Sequence, residues 1–118
     1  MLVEFQMFID NEEYKYKVMG KQQNNKITFP DKMIPNTIID IIFDDDMIIL
    51  NRHGSTLMYQ EFKINCKLSG MYKNDMGLEF TTYSFTHSMQ ISEHELVIDY
   101  DFYIENDKQS HNKMVIKY

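Results

Sequence analysis

The sequence predicts an all-β protein, a single antiparallel up-and-down barrel of about eight to ten strands with no substantial helix. Three observations carry this reading. From Leu96 to Glu105 the even positions are Leu96, Ile98, Tyr100, Phe102 and Ile104, while the odd ones are Val97, Asp99, Asp101, Tyr103 and Glu105. That is a period of two with one apolar and one mostly acidic face. Alanine, the strongest helix former, is absent, and 14 Ile with 8 Tyr and 8 Phe stand in its place. An AT-rich genome would give the same bias, so the alternation decides. Finally, short polar segments separate almost all the apolar runs, which suits a meander of hairpins better than a sandwich with its long crossovers. A closed meander also removes exposed strand edges.

The elements follow in order. Leu2 to Ile9 alternates with Val3, Phe5, Met7 and Ile9 on one side, Asp10 to Glu13 turns, and Tyr14 to Met19 alternates again. Lys26 to Phe29 is a short strand ended by Pro30, because proline cannot donate to a ladder. Thr37 to Phe43 and Met47 to Arg52 are strands joined through Asp44-Asp45-Asp46. Leu57 to Tyr72 is a long run expected to bend near Asn65, and Gly77 to Gln90 is another. Ser92-Glu93-His94-Glu95 resembles a helix cap, but the residues after it alternate with period two, so a turn is expected. The last strand, with Met114, Ile116 and Tyr118 on one face, pairs back through a turn at Asn106 to Ser110. Lys113 and Lys117 then face Asp99 and Asp101.

Length and charge bound the function. At 118 residues one domain spanning residues 1–118 is the expectation. A net charge of −6 and a single arginine, Arg52, argue against nucleic acid or an anionic membrane as partner. Cys66 is the lone cysteine and the amino terminus has no apolar signal core, so a cytoplasmic location is expected. No run approaches the ~18 apolar residues that span a bilayer.

Four residues stand out as ligand-binding candidates: Arg52, Gln60, Tyr72 and Tyr100. If Ile48 and Leu50 point inward, so does Arg52. Gln60 shares parity with Met58, Phe62 and Ile64, and Tyr72 and Tyr100 lie on apolar faces of their strands. A guanidinium, an amide and a phenol converging inside a barrel would hold a polar head while Met and Phe surround an apolar tail. The plainer alternative stays open: Arg52 pairs with an acidic neighbour and Gln60 satisfies a bent strand, since buried polar groups need partners with or without a ligand. The 10 Met read equally as an adaptable cavity lining or as core filler.

No other chemistry is indicated. The Asp44–Asp46 triplet reads as a solvated turn, because three adjacent carboxylates on a hairpin cannot all face one Ca²⁺. His53, His87, His94 and His111 show no ligand spacing within a strand, so no metal is expected. Ser55 has no nucleophile-elbow context, and Cys66 shares parity with Ile64 and Leu68, reading as an inert buried thiol. With 4 scattered Gly there is no phosphate loop, and no cofactor is implied.

Leu50-Asn51-Arg52-His53-Gly54 followed by Met58-Tyr59-Gln60-Glu61-Phe62 resembles the YwiB-like family of uncharacterised proteins from Gram-positive bacteria. Gly77-Leu78-Glu79-Phe80, Ile98-Asp99-Tyr100 and His111-Asn112-Lys113-Met114 are similar to it as well, and the likeness runs from about Tyr14 to Tyr118. The resemblance implies a calycin-like β-barrel, related in shape to lipocalins and fatty-acid-binding proteins. It implies no established activity and no catalytic residues. The resulting expectation is a non-enzymatic barrel that binds a small amphipathic or anionic ligand in its interior. The alternative is a protein-interaction module or homodimer using the aromatic outer face of Tyr83, Phe85 and Tyr103. Catalysis has no constellation of residues to support it.

Overall fold

The computed structural model describes residues 1–118 as eleven antiparallel strands and no helix. They are β1 (Leu2–Ile9), β2 (Glu12–Met19), β3 (Lys21–Gln23), β4 (Lys26–Pro30), β5 (Thr37–Phe43) and β6 (Ile48–Gly54). After these come β7 (Leu57–Phe62), β8 (Lys67–Lys73), β9 (Glu79–Ile91), β10 (Glu95–Ile104) and β11 (Asp107–Lys117). From β3 to β11 each strand pairs with its successor. β11 then pairs with β1, and β1 with β2. The sheet is therefore a nearly closed up-and-down barrel, as the alternation predicts.

Closure rests on Gly20. The chain runs from β2, paired to β1, almost without a break into β3, paired to β4. One bent strand thus serves both edges. At the bend an added Cβ would lie 2.7 Å from Val3 Cγ2 and 2.8 Å from the Thr28 carbonyl, so only glycine fits the crossing. The sequence reading does not anticipate β3, whose three residues are all polar and exposed.

Three expected boundaries change, the first at the β1–β2 turn, where Glu12 and Glu13 already pair in β2 and only Asp10 and Asn11 turn. The hairpin between β10 and β11 turns on Glu105 and Asn106 alone, with Glu105 at φ 54°, so Asp107 to Ser110 belong to the strand. Asn65 bends the Leu57–Tyr72 run as expected, at φ 63°, but the bend also breaks its parity. Ile64 is consequently exposed and Cys66 half-buried in the connection, not inward as alternation would have it. The Ser92–Glu95 turn forms, with the Ser92 hydroxyl donating to the Glu95 carbonyl at 2.9 Å.

Inward side chains of β1, β2, β4 to β7, β10 and β11 meet in one core that includes Phe5, Phe29, Ile41, Leu50, Phe62 and Ile98, all nearly or fully buried, while β9 turns Thr82, Ser84 and Thr86 inward. Phe62 meets Tyr100 edge-on with centroids 4.7 Å apart, and Phe5 stacks on Tyr16 at 5.1 Å. One end of the barrel is plugged by Phe43, Ile91 and Tyr118, which pack against this core. The opposite end receives the carboxyl ends of β1, β4, β6 and β10, and there the interior side chains turn polar. No helix is long and apolar enough to cross a membrane.

Candidate functional site

The polar end is built by strand parity. On β6, Ile48, Leu50 and Arg52 alternate inward and all are buried. The Arg52 guanidinium therefore sits inside the barrel mouth, where a charge needs compensation. Asp31 supplies it from the loop after β4, with Arg52 Nε 3.2 Å from Asp31 Oδ2. This is a close charge contact without hydrogen-bond alignment. The other carboxylate oxygen accepts the Met33 amide at 2.8 Å and the Tyr16 hydroxyl at 3.4 Å. Burial and the Asp31 charge both push the Tyr16 phenol up. Arg52 Nη1 donates to the Met58 thioether, a weak acceptor, at 3.3 Å.

Sequence reasoning did not find Asp31, although a signal existed. Ile27, Phe29 and Asp31 share one parity, which continues inward across Pro30. The loop bearing Asp31 is held by Gly54, whose φ is +127° and whose added Cβ would overlap the Asn36 carbonyl. Ser55 N–H donates to that same carbonyl at 3.1 Å. The Arg-x-Gly motif thus couples the guanidinium to the loop that neutralises it.

Gln60 and Tyr100 lie deeper. Gln60 Nε2 donates to the Ser84 hydroxyl at 3.1 Å, and Asn112 Nδ2 donates to the Tyr100 hydroxyl at 3.3 Å. Burial pushes the Tyr100 phenol up, against the opposing influence of Asn112, the Arg52 charge and Gln60. Asn112 Oδ1 and Arg52 Nε are shut off from solvent without a hydrogen-bond partner. Asn112 was also legible, since it shares parity with Met114 and Ile116.

These groups border a cavity of about 420 Å³ at the open end of the barrel. Arg52, Gln60, Tyr100, Asn112 and Asp31 form its polar side, and Met7, Met33, Met58, Phe102 and Ile104 are among its apolar walls. The structure brings Arg52, Gln60 and Tyr100 together here. Tyr72 sits opposite Met58 and stacks on Phe80 at 6.3 Å, outside the cavity lining.

On the outer face only one of the two expected aspartate–lysine pairings forms. Asp99 faces Lys113 as expected, but Asp101 faces His111 and Lys117 faces Glu95, because one antiparallel register fixes all three pairs. Burial opposes ionisation of Asp101, yet bonds from His111, His87 and Lys108 outweigh it and hold its carboxyl down at about 2. The bond to Asp101 raises His111 above the ordinary imidazole value, burial opposes this slightly, and Asp99 adds to the rise. Nearby, the Lys67 ammonium lies 4.1 Å from the Tyr103 ring centroid and 5.3 Å from that of Tyr83, covering part of the aromatic outer face.

Fold and site together define a class: a single-sheet antiparallel β-barrel with a partly polar cavity at one end. Within that class the chain belongs to the family described as Domain of unknown function (DUF1934), whose model matches residues 4–116. Among solved structures it is similar to the ywiB protein from Bacillus subtilis, with 17% identity and a TM-score of 0.64. That likeness covers 98% of this chain and 85% of the other, and at such identity it speaks for the fold alone. The family resemblance carried by Leu50–Gly54 and Met58–Phe62 therefore holds. A comparison with curated proteins finds no match.

Proposed function

We propose that the chain is a non-enzymatic binding protein that holds a small amphipathic molecule in the open end of its barrel. The observation that carries this reading is a cavity of about 420 Å³ whose mostly apolar walls also carry the side chains of Arg52, Gln60 and Asn112. Ligand cavities combine these features, and their volumes start near about 300 Å³. The polar end of the guest meets the Arg52 guanidinium and the side-chain amides of Gln60 and Asn112.

Charge balance refines the head group. The ionised residues bordering the cavity are Asp10, Asp31 and Arg52, two carboxylates against one guanidinium. Asp31 already neutralises Arg52, so an anionic head gains little Coulomb attraction. An uncharged amide or hydroxyl suits the site better, because it brings no charge to desolvate and can both accept and donate among the polar side chains of the cavity. At roughly 30 Å³ per water-sized group, the volume suits a guest of about fourteen non-hydrogen atoms.

An amide-resolved NMR titration with decanamide and with decanoate tests this. Decanamide is expected to shift the signals of Met7, Arg52, Tyr100 and Asn112, more strongly than decanoate, and Arg52→Met to weaken the response. No saturable shift at these residues with either probe overturns the proposal.

A further inference from the structure

The outer face carries a second cluster that the cavity does not use. His87 on β9, Asp101 on β10 and His111 on β11 occupy three adjacent strands. Asp101 lies directly opposite His111. On the other side Asp99 pairs with Ser88 and Tyr100 with Thr86, so His87 is the extra residue of a bulge in β9. A bulge re-aims the side chain it carries. Its effect is visible in the parity of β9, where Thr82, Ser84 and Thr86 point inward before it and Met89 and Ile91 after it.

The result is a convergence of donor atoms. His87 Nε2 is 2.8 Å from Asp101 Oδ2, and His111 Nδ1 is 2.8 Å from Asp101 Oδ1. One ligand atom from each residue falls within 4.8 Å of the other two. Two ligands on a tetrahedral ion at about 2.0–2.1 Å stand about 3.3 Å apart, a spacing that small side-chain rotations reach from here. Both imidazoles are nearly half exposed, at 45% and 48%, so an ion arrives from solvent, while the Asp101 carboxylate is held at 11%.

A further carboxylate orients the set. Asp99 Oδ1 lies 3.0 Å from His111 Nε2, so that nitrogen keeps its proton toward Asp99 while an incoming ion replaces the Nδ1 proton that faces Asp101. A carboxylate behind a ligating histidine fixes its tautomer and raises its basicity. Lys108 Nζ, 3.2 Å from Asp101 Oδ1, is the cation an incoming ion displaces. Two imidazoles and one carboxylate favour zinc-class transition metals over Ca²⁺ or Mg²⁺, which prefer all-oxygen shells.

We propose that His87 Nε2, an Asp101 carboxylate oxygen and His111 Nδ1 bind one divalent transition-metal ion such as Zn²⁺, leaving a coordination position open to solvent. Asp99 is a positioning residue for His111. The site lies on the opposite face of the sheet from the cavity and stands or falls independently of it.

The test uses the full, tag-free chain stripped with chelator and then titrated with Zn²⁺ by calorimetry, with Co²⁺ absorption as a second readout of nitrogen ligation. One saturating equivalent is expected. His87→Ala and His111→Ala should each weaken it by about 10-fold or more, and Asp99→Asn by about 10-fold. His94→Ala, on an exposed turn, should leave it unchanged. Because His87 and His111 are surface residues, thermal melts of their variants are expected to stay cooperative. No binding at millimolar Zn²⁺, or binding untouched by both histidine substitutions, overturns the proposal.

Discussion

Removing the charge of Asp31 tests the central contact of the barrel mouth. Its side chain is fully buried, and that of Arg52 is 10% exposed, with the charged atoms 3.2 Å apart. At that separation and an effective dielectric constant near 20, the Coulomb attraction is about 5 kcal/mol. Asp31→Asn keeps an oxygen for the Met33 amide but leaves a guanidinium without a counter-charge. Breaking a buried pair from one side costs about 3–5 kcal/mol, and the adjacent cavity places Arg52 at the lower part of that range. Arg52→Met leaves the carboxylate stranded at a similar cost. The double variant Asp31→Asn/Arg52→Met buries no net charge and should lose only about 1–2 kcal/mol. Urea denaturation of the four proteins measures the coupling, expected at about 3 kcal/mol or more in magnitude. Additivity of the two single losses within about 0.5 kcal/mol would refute the argument, showing that the pair does not interact in the folded barrel.

Other predictions concern the rest of the fold. The Asp101 carboxyl, held at about 2 against an ordinary 3.8, contributes stability that is full above the ordinary value and lost as pH falls toward 2. That contribution is on the order of 2 kcal/mol at neutral pH, and Asp101→Asn in chelator-treated protein should flatten the acid limb of a plot of Tm against pH. His111, raised above 6.5, contributes fully below that value and loses its contribution as pH rises through the higher one, giving a second fall on the alkaline side that His111→Gln removes. Gly54→Ala meets the Asn36 carbonyl at a positive φ, so urea melts should show a loss of about 1–3 kcal/mol and looser amide protection in the Asp31–Asn36 loop. Phe62→Ala empties the floor beneath Tyr100 and should cost about 3–5 kcal/mol by the same melts.

Much of the barrel is legible in one dimension because burial on one face of a pleated strand is itself periodic. Ile48, Leu50 and Arg52 point inward because a strand puts every second residue on one side, and the same rule places Gln60 beside Phe62 and Tyr100 beside Ile98. Asn65 shows where such reading fails, since one residue at positive φ ends the parity that would have buried Ile64 and Cys66. Lys21 to Gln23 form a strand only because the β4 edge offers them backbone partners. Nothing in their side chains asks for it.

Local alternation thus determined the all-β class, the order of the long strands and the inward aim of Arg52, Gln60 and Tyr100. Tertiary structure alone decided who meets whom across strands. Asp31 reaches Arg52 through a loop held by Gly54, Tyr72 falls outside the cavity that Asn112 borders, and a single bulge turns His87 toward Asp101 and His111. Side-chain direction along one strand is a property of the covalent chain, whereas register and bulges depend on which backbone groups pair over long separations. For that reason Arg52, Gln60 and Tyr100 could be named from their spacing, whereas the reach of Asp31, the exclusion of Tyr72 and the histidine–aspartate cluster could not.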